Sequence, residues 1–301
     1  MLSTFSDNRV DLNGETMGTR WHAQFWANAD TDVEAIKAAM QAAVDRVDAQ
    51  MSLWKPESDL CRLNRAPVGE WVDIGPEMMR VLCAAAEVTR MSDGAFDISV
   101  GDAVRAWGFG PEDADTTKIT ALLSKSSGRA NPLELRDSQA RRLADVSFDL
   151  NGIAKGFGTD RLVEVAAEHG ITALTAGIDG DLRTVGTRPD GSFWPIAIER
   201  PDYGLRAVHS MMELSDCAIA TSGDYRHWLT VGDQRLSHTM NPRLQAPLVN
   251  SPASVTVLAP DCMTADAWAT ALMVLGREAG TAVARRYGIQ AMFLEREALA
   301  S

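Results

Sequence analysis

The chain has 301 residues, 46% of them hydrophobic, and a formal net charge of −12. That is enough apolar material for one large core or two modest ones. The acidic balance argues against a nucleic-acid partner held through phosphate contacts, although a bound cation still allows a phosphate-bearing small molecule.

No apolar run approaches the roughly 20 residues of a membrane span. Met1 to Arg9 has no apolar leader region and no twin arginine, and no lipid-attachment cysteine lies nearby. The chain as written is therefore expected to be cytoplasmic, and periplasmic if a leader has been removed. Cys61, Cys83, Cys217 and Cys262 are scattered without a CxxC pair, so they are expected to be buried free thiols, with neither a zinc nor a redox motif.

Arg20 to Trp26 has the pattern of a first strand. Val33, Ile36, Met40, Val44, Val47 and Met51 keep helical spacing and predict an amphipathic helix over about 32–51. Gly75-Pro76-Glu77 opens a second helix to about Met91, because proline suits a first helical turn. The stretch at about 111–141 is more polar and marks a small helical or polar excursion from a single domain over 1–301. Downstream, strands are expected at about 145–149, 171–178, 182–187, 193–199, 217–221, 228–231 and 252–259. Helices are expected at about 157–169, 264–276 and 277–287, and a last strand from Ile289 to Leu294. Several strands follow one another with no helix between them. That pattern predicts an α+β fold with mixed, largely antiparallel sheets and flanking helices.

Residues 149–156, Asp-Leu-Asn-Gly-Ile-Ala-Lys-Gly, stand at a strand-to-helix junction. A carboxylate, two glycines and a lysine at a helix start suit an anion, and an ordinary turn with a surface lysine fits equally well. Asp266 and Thr270 are four apart in a predicted helix, so their oxygens share a face. Such hard oxygens suit Mg²⁺; the alternative is a first-turn cap and a hydroxyl bonded back to its own helix. His238 lies near a turn and is either a general base or a satisfied structural histidine. Trp54 and the run Trp107-Gly108-Phe109-Gly110 either flank a planar ring or anchor a core. Ala220 to Arg226 reads as a strand running into a turn, offering ligand contacts or only turn hydrogen bonds. No G-x-S-x-G, H-E-x-x-H or Walker A pattern occurs, which leaves hydrolase-elbow, zincin and P-loop readings without support.

Taken in order, several runs resemble the ApbE family of FAD:protein FMN transferases. They are Glu15 to Thr19 (ETMGT), Met51 to Asn64 (MSLWKPESDLCRLN), Phe96 to Gly110 (FDISVGDAVRAWGFG) and Phe148 to Asp160 (FDLNGIAKGFGTD). Ala220 to Arg226, Ser237 to Arg243 and Ser254 to Gly276 complete the set, which spans about 15–276. The resemblance implies an ApbE-like fold and a Mg²⁺-dependent enzyme that moves FMN from FAD onto a threonine or serine of an acceptor flavoprotein, releasing AMP. It also implies one alternative, a FAD pyrophosphatase giving FMN and AMP, and the departures at Asp179 and Asn241 to Gln245 leave a second, a non-catalytic FAD-binding or flavoenzyme-assembly protein. By the same resemblance, Asp266, Thr270 and the Gly152 carbonyl hold the metal. Met17, Trp54, Trp107, Gly108, Phe109, Asp149, Lys155 and Met240 contact the flavin nucleotide, and His238 is the base. The chain departs from the family pattern at three places. Trp54 replaces a usual tyrosine, Gly177-Ile178-Asp179-Gly180 replaces Asn-x-Gly-Gly, and Asn241 to Gln245 replaces Asp-Pro-Arg-x-Gly.

Overall fold

The computed structural model describes residues 8–124, 131–204, 207–226, 228–231, 234–249 and 251–296. The first elements are β1 (Arg9–Thr16), β2 (Thr19–Trp26), α1 (Val33–Met51), α2 (Asp59–Arg65), β3 (Val72–Asp73) and α3 (Pro76–Met91). Then come α4 (Gly101–Ala106), α5 (Thr116–Ser124), β4 (Leu133–Arg136), β5 (Gln139–Arg142) and α6 (Ala154–Glu168). Strands β6 (Leu174–Ile178), β7 (Asp181–Val185), β8 (Trp194–Glu199), β9 (Val208–Leu214) and β10 (Cys217–Gly223) follow. The chain continues through β11 (Trp228–Val231), β12 (Gln234–Ser237), β13 (Met240–Asn241), β14 (Ala246–Pro247) and β15 (Ser254–Ala259) to α7 (Cys262–Tyr287) and β16 (Gln290–Leu294).

The main sheet runs β1-β2-β6-β7-β10-β15-β16, and every neighbouring pair in it is antiparallel. The chain is thus α+β with antiparallel sheets, as its run of helix-free strands predicts. Because side chains alternate along a strand, β10 sends Ala220 to one face and Ile219 to the other. On the first face α1 buries Ile36, Met40, Ala43, Val44, Val47 and Met51, and α6 and α7 pack beside it. On the second face the β8–β9 hairpin lays Trp194, Ile196 and Ile198 against Ile219 and Leu182. The polar stretch at 111–141 carries α5, then the β4–β5 hairpin that joins β3; residues 125–130 lie outside the described set.

Three expectations need correction. Arg20 to Trp26 belongs to the second strand, because β1 precedes it and pairs with it residue for residue. Residues 145–149 are not a ladder strand. Phe148 N–H donates to Asn64 Oδ1 (2.7 Å), Asn64 Nδ2 donates to the Phe148 carbonyl (2.9 Å), and Asp149 N–H donates to the Ile98 carbonyl (2.8 Å). Buried backbone must be satisfied, and here side chains and a loop do what a neighbouring strand would. The two helices expected at the C-terminal end are both present; they run on as α7 and meet at a kink at Gly276, whose backbone (φ +73°) is not helical. Of the four free thiols only Cys262 is fully buried, and Cys83 is exposed.

Candidate functional site

Two hairpin tips, two helices and several loops meet around one cavity of about 1210 Å³. The tips are both two-residue turns. In the β6–β7 hairpin Ile178 pairs with Asp181, leaving Asp179 (φ +53°) and Gly180 (φ +96°) in the type I′ geometry that Asp-Gly favours. In the β1–β2 hairpin Thr16 pairs with Thr19, leaving Met17 (φ +48°) and Gly18 (φ +69°). Methionine gains nothing in the left-handed region. The turn aims its side chain into the cavity, where it lies over Gly158. Since β2 pairs with β6, the two tips stand side by side, and Asp179 N–H donates to the Arg20 carbonyl at 3.3 Å.

The starts of α6 and α7 form the floor. Asp261 caps α7 by accepting from Thr264 N–H, which puts Asp266 in the helix interior. Buried Asp266 Oδ2 accepts from Gly156 N–H at 3.0 Å, one of the first-turn donors of α6 that no carbonyl of its own helix satisfies. Gly156 permits this approach, because a Cβ there would lie 2.3 Å from the Cys262 carbonyl oxygen. One turn along α7, Thr270 Oγ1 is 3.1 Å from Ser222 Oγ of β10. Gly152 faces it so closely that a Cβ would stand 3.1 Å from Thr270 Oγ1.

Charge at this floor is unbalanced. Burial, then the nearby Asp181 carboxylate, pushes the Asp266 carboxyl well above its ordinary range, and Lys155 only partly opposes them. Burial likewise lifts Asp181 to about 6, against the pull of Lys155 and of the Thr221 N–H bond to its Oδ1 (3.3 Å). Burial works against the Lys155 ammonium too, but Asp181, Asp179 and Asp266 outweigh it and raise its pKa, so it stays a cation. Asp149 is held at about 6 by burial, although it accepts from Asn151 N–H (2.8 Å) and Asn151 Nδ2 (3.0 Å).

His238 lines the cavity from the segment between β12 and β13, with Ser237 and Thr239 buried on either side. Trp54, after α1, stands at the mouth with 66% of its surface exposed. Gly108, Phe109, Met240, Asp149, Gly152 and Lys155 share the lining with Asp266 and Thr270. Trp107 alone of the residues singled out from the sequence does not line the cavity. Its indole N–H donates to the Gln245 carbonyl at 3.0 Å, so it anchors the β13–β14 turn. Ser222 lies in the Ala220 to Arg226 run read as offering ligand contacts, whereas sequence reasoning missed Asp181, whose local pattern is that of an ordinary strand residue. It also missed a role for Asp179, although the Asp-Gly dipeptide signals a hairpin tip.

Among the described residues, no group of three or more His, Cys, Asp or Glu side chains is disposed around a common point as a metal cage. One carboxylate, one or two hydroxyls and a carbonyl make a different kind of donor set. It is the kind that suits Mg²⁺, which commonly takes one or two carboxylates and completes its shell with substrate phosphate and water. The crowding of the Asp181 carboxyl beside Asp266 and the close approach of residue 152 to Thr270 both fit a small, hard cation there.

Comparison with known proteins gives a consistent result. A family model described as the ApbE family matches residues 17–293. The FAD:protein FMN transferase of Vibrio cholerae is 33% identical over 291 residues, covering 95% of this chain and 87% of that protein. The solved structure of the flavin transferase ApbE from Vibrio cholerae has a TM-score of 0.84, with 33% identity over 95% of this chain and 93% of that one. Pseudomonas stutzeri flavinyl transferase ApbE, in its apo form, has a TM-score of 0.87 and 30% identity, covering 99% of this chain and 94% of that one.

Proposed function

The chain belongs to the ApbE family, and from that premise we propose that it is a FAD:protein FMN transferase. It moves FMN from FAD onto a threonine or serine hydroxyl of an acceptor flavoprotein and releases AMP, working as one catalytic unit. The observation that supports this reading is a single cavity lined by the half-buried Lys155, by Asp266, Thr270 and Gly152, and by His238.

The chemistry is phosphoryl transfer. The acceptor hydroxyl oxygen forms a bond to the FMN phosphorus, the bond from that phosphorus to the bridging oxygen breaks, and AMP leaves. Asp266, Thr270 and the Gly152 carbonyl would hold Mg²⁺, which when bound offsets the charge of the pyrophosphate. Lys155 brings a permanent positive charge to the phosphate end. His238 takes the hydroxyl proton, a role that contributes about 10²–10⁴-fold in rate. Met17, Phe109, Met240 and Trp54 offer apolar and aromatic surface to the flavin ring. Trp107 supports the ring side of the site through the turn it anchors.

Incubation with FAD, Mg²⁺ and an acceptor protein carrying a flavinylation sequence should add the mass of an FMN phosphoryl group to the acceptor. No gain, with a folded and FAD-bound enzyme, refutes transfer. AMP and free FMN appearing without acceptor, faster than transfer, would assign the chain to FAD hydrolysis. His238→Ala should reduce transfer far more than FAD affinity; equal losses would make it a structural histidine.

A further inference from the structure

Asp179 stands at the tip of the β6–β7 turn and on the cavity wall. The turn itself does not need a carboxylate, since Asn-Gly and Gly-Gly form the same type I′ turn. The carboxylate instead reaches two other elements. Its Oδ2 accepts from Lys155 Nζ at 3.1 Å, and its Oδ1 accepts from Thr19 Oγ1 at 3.2 Å. Lys155 is also under the influence of the buried carboxyls of Asp181 and Asp266. Three carboxyl groups thus compete for one ammonium, and Asp179 alone of the three is exposed. About a third of each partner's side chain is accessible, 32% for Lys155 and 34% for Asp179, so an anion entering the cavity reaches this pair. A phosphate oxygen that accepts from Nζ must share the donor with Oδ2 or displace it, and it meets a like charge beside it.

Building on the flavin-transferase reading, we propose that Asp179 is an intramolecular competitor in the dinucleotide subsite. Its carboxylate engages Lys155 Nζ in place of a FAD phosphate, and so sets the affinity for FAD below what an uncharged residue at this position would give. Thr19 fixes the carboxylate in the competing orientation. Because the effect opposes ligand binding, removing it strengthens binding, and the loss of a merely structural contact does not do that. The competition is between partly exposed charges, so salt should weaken it.

The test is a FAD titration of the full chain and of Asp179→Asn, followed by flavin fluorescence in Mg²⁺ buffer without acceptor. Asparagine keeps the turn preference and removes the charge. Asp179→Asn should bind FAD about tenfold more tightly at low ionic strength, equivalent to about 1.4 kcal/mol, with an unchanged melting temperature. The difference should shrink as salt is raised from roughly 0.01 to 1 M, over which the screening length falls about tenfold. Unchanged or weaker binding by Asp179→Asn overturns the proposal, and so does tighter binding whose margin ignores salt. A wild-type chain that binds no FAD refutes the flavin-transferase reading instead. Asp179→Glu serves as the second variant: it keeps the charge and should stay close to wild type, and a gain equal to that of asparagine also overturns the proposal.

Discussion

Replacing Gly156 with alanine should lower the stability of the protein, although alanine is the better helix former. Gly156 lies within α6 (Ala154–Glu168) without a positive φ, so in an isolated helix the change would stabilise by about 0.5–1 kcal/mol. Tertiary structure reverses that sign. An ideal Cβ would stand 2.3 Å from the Cys262 carbonyl oxygen, 2.7 Å from its carbon and 2.8 Å from Asp266 Cβ. Ordinary contact begins at 3.4 Å, so the start of α7 must retreat by about 1 Å. Two of the three nearest atoms are backbone, so no rotamer change relieves the clash. Overpacking of this kind costs about 1–3 kcal/mol. The shift also stretches the 3.0 Å bond from Gly156 N–H to Asp266 Oδ2, a bond worth roughly 1.5–3 kcal/mol when its acceptor is charged. After the helix gain is subtracted, a net loss of about 2–4 kcal/mol remains. At roughly 2–4 °C per kcal/mol for a domain of this size class, the melting temperature should fall by about 4–16 °C. Scanning calorimetry of both proteins measures it. Flavin transfer should fall as well, at a temperature where the variant is fully folded, because Asp266 moves with α7. An unchanged or higher melting temperature would refute the account of how α6 and α7 meet.

Three further outcomes test other parts of the site. Asp266→Asn should reduce Mg²⁺-dependent turnover to near background, while the metal-free melting temperature stays level or rises, because an amide buries no charge beside Asp181; a drop of several degrees would refute the charge surplus. Asp149 is raised to about 6, so the folded state holds its proton longer than the unfolded chain, and stability from this group is lost as pH rises from about 4 through 6. Asp149→Asn should therefore gain on wild type by about 1–3 kcal/mol between those limits in denaturant titrations, and a pH-independent difference would refute the burial effect. Trp54→Ala should change stability by less than about 0.5 kcal/mol, given its exposure, while weakening FAD binding two- to tenfold in the same fluorescence titration.

Local pattern in the sequence determined a great deal. The helical spacing from Ile36 to Met51 is the face that α1 buries, and Pro76 stands at the first position of α3. The four-residue spacing of Asp266 and Thr270 puts both on the cavity side of α7. The type and order of most elements were legible for the same reason: periodicity reports which face must leave water, and consecutive strands without helices exclude a regular parallel sheet. Tertiary structure alone decided everything that depends on residues distant in the chain. Residues 147–149 alternate like a strand, yet their hydrogen bonds go to Asn64, Asp102 and Ile98. Trp107 carries a ring-binding signal, but its indole is committed to Gln245, far along the chain. Asp181 has no signal of its own. It becomes part of the site because the pairing of β6 with β7 and the approach of α6 to α7 bring it close to Lys155 and Asp266. Sequence pattern is a one-dimensional record of burial, whereas the charge on a cavity floor is a sum over space. That is why the ligand-bearing residues could be read one by one, and why their shared shortage of positive charge emerges only once the chain is folded.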